Sequence, residues 1–222
     1  MKTPQSVHAL EELGRVRLST SYFMRDFLYS EVSNSYGVPN IPENPDVAVE
    51  VGKRLCAELL DPINATFGRI AIRSAYRSPT VNALGNDKGD NCASNESNYA
   101  GHIWDHLDAD GLKGATACVV VPWFADRYSE GMDWRAMAYW IHDHLPYSEL
   151  QFFPKLAAFN INWHERPGRV IRGYIEPLGK LNVGQEPLED CASLYRNFPD
   201  FRTQTRSVDG PTIDRQHLRA GR

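Results

Sequence analysis

The sequence predicts an α+β domain, and three observations carry that expectation. Amphipathic helical periodicity dominates the first third of the chain, short β-type runs dominate the rest, and no repeat or low-complexity tract appears. At 222 residues, 42% of them apolar, the chain can bury one sizeable core. The expectation is a single domain over residues 1–178, with a small antiparallel sheet flanked by helices. A polar C-terminal arm over 179–222 follows, in which six arginines face three acids from Ser193 onward.

The elements follow in chain order. Ser21 to Ser30, with Phe23, Phe27 and Leu28, reads as a first helix. Asn44-Pro45-Asp46 is a capped start, and Val47, Val51, Leu55 and Leu59 then form a stripe at four-residue spacing, the pattern of a helix lying on a core. Arg69 to Arg73 is a first β-type run. Ala83 to Gly114, rich in Asn, Asp, Gly and Ser, reads as a long loop, and a loop of that length is usually functional or disordered. Cys118 to Pro122 is a second strand. Asp133 can cap another helix, with Met137, Trp140, Ile141 and His144 on one face and Pro146 at its end. Glu149 to Phe153 and Arg169 to Arg172 are further strands.

Composition excludes some classes of function. A net charge of −4 removes the general electrostatic case for a nucleic-acid binder or a membrane-surface protein. Apolar stretches such as Ala117 to Val121 fall far short of the roughly 20 residues a membrane helix needs. The N-terminus carries no apolar signal region, so the expectation is cytoplasmic synthesis, with lysis or carriage in a phage particle as routes outward. Four cysteines without a C-x-x-C pair suit reduced thiols.

Two of the seven histidines sit in settings that suit a metal. His102 opens a loop crowded with imidazoles and carboxylates, Gly101-His102-Ile103-Trp104-Asp105-His106-Leu107-Asp108-Ala109-Asp110, and His164 lies in Asn162-Trp163-His164-Glu165. His142-Asp143-His144 falls at a helix end, where i and i+2 do not share a face, and reads as histidine interacting with the helix dipole.

Upstream stands Arg73-Ser74-Ala75-Tyr76-Arg77-Ser78-Pro79-Thr80-Val81-Asn82. It resembles the S-G-Y-R-S-P-x-x-N signature of the zinc D-Ala-D-Ala carboxypeptidases and L-Ala-D-Glu endopeptidases, which share their fold with the hedgehog signalling domain. That family continues with S-x-H-x-x-G-x-A-x-D, a strand, and a final W-x-H or W-H. Here His102, then Gly114 to Val121, then Trp163-His164 keep the order. The resemblance spans roughly residues 20–176 and is most specific at the Y-R-S-P-x-x-N element.

The resemblance implies one zinc held by His102 and His164, with Arg77 beside the substrate and Tyr76 and Ser78 in its pocket. Its substrate would be a peptide, specifically the cross-linking peptide of the bacterial cell wall, cut by a metal-activated water. Apart from the resemblance, Trp104 reads as core like the other tryptophans, although its place in the loop could make it the floor of a pocket. Where the family has its aspartate ligand this chain has Ala109 seven positions after His102, and Cys118 at the aligned strand position. The third ligand is therefore Cys118 or a loop carboxylate, Asp105, Asp108 or Asp110. The family's glutamate base is replaced by Ile161, which leaves Glu149 and Glu165 as candidates. Two alternatives follow from these departures: a binding module of the same fold without turnover, and a mononuclear Fe(II) enzyme using His102, Asp105 and His164.

Overall fold

A computed structural model describes residues 1–182 and 192–203. Helix α1 (Val7–Gly14) starts on Ser6, whose hydroxyl accepts the Ala9 N–H at 3.1 Å. The helix expected over 21–30 is a single 3-10 turn, Met24–Phe27, because Phe23 is extended, bridged to Arg17, with its N–H donated to the Asp26 carboxylate; Phe27 is buried and Phe23 is 42% exposed. Helix α2 (Glu31–Tyr36) follows. Helix α3 (Pro45–Leu55) buries Ala48, Val51 and Leu55, continues through a π turn at Cys56–Leu60, and runs into α4 (Asp61–Phe67). Pro62 lacks a backbone donor, so the ladder loses a bond there and the turn before it widens.

Strand β1 (Ala71–Ser74) is followed by α5 (Pro79–Lys88), which lies partly inside the region expected to be loop. Ser78 caps it by accepting the Val81 N–H, and Gly89, at φ +74°, ends it. It buries Val81, Asn82 and Gly85, so one buried position is polar and the apolar periodicity is thin. Then come α6 (Asn95–Asn98), β2 (Gly114–Val120), α7 (Pro122–Ser129), α8 (Arg135–His144), β3 (Glu149–Phe152), β4 (Phe159–His164), β5 (Val170–Gly173) and β6 (Gly179–Asn182).

These strands form one six-stranded sheet in the order β1-β2-β4-β3-β5-β6. The sheet is mixed rather than antiparallel throughout, because β3 and β5 are parallel. Residues 165–169 cross the end of β3, where the Ser148 carbonyl accepts the Val170 N–H and its hydroxyl the Gly168 N–H. The chain thus re-enters beside the start of β3 in the same direction.

One face of the sheet carries Ala115, Ala117, Phe159, Ile161 and Trp163 into a core shared with α3 and α8. The opposite face carries Thr116, Cys118, Asn160, Asn162 and His164, as the two-residue period of paired strands requires.

Part of the arm expected from residue 179 belongs to the fold. Strand β6 pairs with β5, and Phe198 and Phe201 pack on the helix layer, with ring centroids 5.5 Å from Phe67 and 5.9 Å from Trp140 respectively. Residues 183–191 and 204–222 of that arm lie outside the described residues. His142 and His144 belong to the end of α8: His144 Nδ1 is 2.8 Å from the Trp140 carbonyl, and Arg169 donates to the carbonyls of His142 and Leu145. No helix among the described residues is long and apolar enough to cross a membrane.

Candidate functional site

The polar face of the sheet is the floor of a cleft of about 1420 Å³. The loop after α6 forms one wall, since the Thr116 N–H donates to the Gly101 carbonyl at 2.9 Å and Asn162 donates to the Ala100 carbonyl at 3.1 Å. Gly114 permits this approach. A Cβ there would meet the Ala100 oxygen at 2.2 Å and His164 Cδ2 at 2.8 Å.

Arg77, His102, Cys118, Glu149 and His164 all line the cleft. His102 is 6% exposed, and its Nδ1 lies 2.7 Å from the Ala75 carbonyl. Because a carbonyl only accepts, Nδ1 carries the proton and Nε2 has the free lone pair. Burial, and after it the charge of Arg77, holds the ring down to about 3, so the imidazole is neutral at physiological pH. The Asn160 side chain acts in the opposite sense, favouring the protonated ring, and is outweighed by burial.

Arg77 is held by its Nη1, which donates to Asn82 Oδ1 at 3.2 Å and to Cys92 Sγ at 2.7 Å. Its Nε is buried without a hydrogen-bond partner. Arg73 lines the same stretch of cleft. Among the described residues no carboxylate lies within ion-pair distance of either arginine. Burial pushes the Cys118 thiol above its ordinary range, against the opposing charges of Arg73 and Arg77.

His164 occupies a different part of the floor. Its Nδ1 accepts the Arg166 N–H at 3.1 Å, and its Nε2 lies 3.1 Å from Asp108 Oδ2. The amides of Leu112 and Asp110 hold the Asp108 carboxyl below its ordinary range, with His164 contributing less. Glu149 accepts from Arg172 Nε at 2.6 Å and from Gln151 at 3.0 Å.

The other candidates face elsewhere. Asp105 is 3% exposed, and its Oδ2 accepts the Glu43 and Asn44 N–H groups at 2.7 and 3.1 Å, which pins the loop to the start of α3. Its negative charge is thus used at a helix N-terminus, not at the cleft. Tyr76 and Trp104 are fully buried, with ring centroids 6.2 Å apart, and Trp104 donates to the Thr116 carbonyl. They are core residues and do not line the cleft. Ser78 is the cap of α5. Glu165 accepts the Lys113 N–H at 2.8 Å, turned away from His164 as the alternation along an extended chain requires.

The sheet register bears directly on a shared metal. Cys118 pairs with Asn160, whereas His164 pairs with Gly114. Four residues along a strand is about 13 Å. The Zn–S and Zn–N bonds of one centre are only about 2.0–2.3 Å long, so one ion cannot reach both Cys118 and His164. Among the described residues no three His, Cys, Asp or Glu side chains converge as a metal site would require. The set His102, Cys118 and His164 therefore does not fit one mononuclear centre, and neither does the iron set of His102, Asp105 and His164, since the Asp105 carboxylate is held at the start of α3 while both histidines line the cleft.

Sequence reasoning missed Asn160, Asn162 and Arg73. The signal for the first two lies in Phe159-Asn160-Ile161-Asn162-Trp163-His164, a strict alternation of apolar and polar residues that marks a half-buried strand. Comparison of the chain with protein-family models, with curated proteins and with solved structures gave no match.

Proposed function

We propose that this protein binds a short peptide bearing a free carboxylate, of the kind that cross-links bacterial cell walls, and holds it in the cleft over the sheet. The observation that carries this reading is the pair Arg73 and Arg77, two cations on one cleft wall with no carboxylate partner among the described residues. A guanidinium fork pairs with a carboxylate through two parallel hydrogen bonds. The polar floor supplies amide and hydroxyl groups for the ligand's backbone, through Thr116, Asn160 and Asn162. The resemblance around Tyr76-Arg77-Ser78-Pro79 supports a peptide as the ligand class. This is the binding-module alternative, in which the fold serves recognition.

Calorimetric titration with stem-type peptides tests it. A peptide ending in a free carboxylate is expected to bind, and its C-terminal amide to bind about tenfold or more weakly, the cost of one charge-assisted interaction. Arg77→Gln and Arg73→Gln should each lower affinity for the acid and leave affinity for the amide unchanged. Equal affinity for acid and amide would refute the carboxylate site. Zinc-dependent cleavage of the peptide, read by mass spectrometry, would instead support the hydrolase that the resemblance implies.

A further inference from the structure

Asn82 is fully buried on α5, and every hydrogen-bonding position of its carboxamide is occupied. Its Nδ2 donates to the Ala93 carbonyl at 3.0 Å and to Asn95 Oδ1 at 2.9 Å. Its Oδ1 accepts from Asn98 Nδ2 at 2.9 Å and from Arg77 Nη1 at 3.2 Å. A carbonyl only accepts and a guanidinium only donates, so the carboxamide cannot be turned over, and its oxygen faces Arg77. A buried network with every member satisfied holds those members in one arrangement.

Arg77 is thereby held by one end. Cys92 Sγ, 2.7 Å away, takes the second N–H of Nη1, and Nε is buried. Nη2 has no partner among the described residues and is not buried, so it is the end that Arg77 presents to the cleft. The backbone of the same residue is tied as well, its N–H donating to the His102 carbonyl at 2.8 Å. Arg73 differs: it is exposed on β1, and its guanidinium makes no hydrogen bond to a described residue. Arg77 therefore offers one fixed nitrogen, and the free fork on this wall is that of Arg73.

We infer that Asn82 is the positioning residue of the carboxylate site: it acts through Arg77, aiming Nη2 at one oxygen of the ligand, while Arg73 closes on the other. The ligand in this inference rests on the carboxylate reading above. The hold on Arg77 does not, since the chain's own hydrogen bonds supply it.

Nitrogen NMR of the guanidinium groups in the full chain reads the hold without any ligand. Wild-type Arg77 is expected to show separate Nη1 and Nη2 signals, because a guanidinium fixed at Nη1 rotates slowly about its Nε–Cζ bond, and Arg73 a single averaged signal. Asn82→Ala should merge the Arg77 signals, since the sulfur left on Nη1 is a weak acceptor. Calorimetric titration with a stem-type peptide and its C-terminal amide reads the consequence. Asn82→Ala should reduce the preference for the acid about tenfold, and should reduce it no further when added to Arg77→Gln. A merely structural role would weaken acid and amide alike. Asn82→Asp is isosteric and serves if the alanine variant does not fold: it should keep the Arg77 signals apart yet lose the acid preference, because its charge cancels that of Arg77. A single averaged Arg77 signal in the wild type or in Asn82→Asp would overturn the inference. So would separate signals, or an undiminished acid preference, in Asn82→Ala. Equal binding of acid and amide by the wild type would remove the carboxylate reading instead, and the NMR signals would still decide whether Asn82 holds Arg77.

Discussion

Replacing Asp105 separates an anchor from a ligand. Its carboxylate is buried and accepts two backbone N–H groups, at 2.7 and 3.1 Å, from the residues just before α3. Hydrogen bonds to a charged group contribute about 1.5–3 kcal/mol each, so the pair amounts to roughly 3–6 kcal/mol before compensation. Two effects reduce that figure in Asp105→Ala. Glu43 and Asn44 are exposed, so water can reach the freed N–H groups, and the variant no longer buries a charge. A net loss of about 2–3 kcal/mol remains, which for a chain of this size lowers Tm by roughly 4–12 °C. Asp105→Asn is the matched control. Both bonds fall on the single oxygen Oδ2, so one amide oxygen can keep them, and the cost drops to about 1 kcal/mol. Calorimetric melting of the three proteins, alongside their metal content, is the assay. An alanine variant that melts with the wild type would refute the anchoring argument, and one that also lost a bound metal would return Asp105 to the role of ligand.

Two further outcomes follow from the same geometry. His102 is held down to about 3 in the fold against an ordinary 6.5, so below pH 6.5 the unfolded chain binds the extra proton. Stability should fall as pH drops from about 6.5 toward 3, at up to about 1.4 kcal/mol per pH unit from this group. Urea unfolding at pH 7, 6 and 5 should show a shallower decline in His102→Gln, and parallel profiles would remove the assigned cause. Gly114→Ala places a methyl group against the Ala100 backbone oxygen, which cannot rotate away. Thermal unfolding should register a loss of about 1–3 kcal/mol, and an unchanged Tm would show that the 99–101 segment is free to move.

What the sequence makes legible here follows the periodicities of the backbone. The stripe through Val51, Leu55 and Leu59 is visible because α3 and the turn after it bury one side only. The alternation through 159–164 is visible because β4 has one dry and one wet face. Strand β2 is buried along its whole length, so Gly114 to Val120 shows no alternation, and the two faces of that strand cannot be told apart from residue types. Helix α5 hides for the opposite reason, since its buried side contains Asn82.

The candidate site divides along the same line. Reading His102, Cys118 and His164 in order along the chain leads to residues that do line one cleft, because the polar side chains of adjacent strands collect on one face. Order along the chain carries no information on register. Cys118 meets Asn160 rather than His164 because β2 and β4 pair with Gly114 opposite His164, and that pairing is set by the approach of the 99–101 segment to the start of β2. A slip of one residue would turn Asn160 and His164 together into the core, so the polar face and the register are specified by the same apolar residues, Phe159, Ile161 and Trp163. The chemistry of the cleft floor is therefore decided by apolar side chains that face the core, and a ligand set read from histidine spacing alone must miss the asparagine that the register places opposite Cys118.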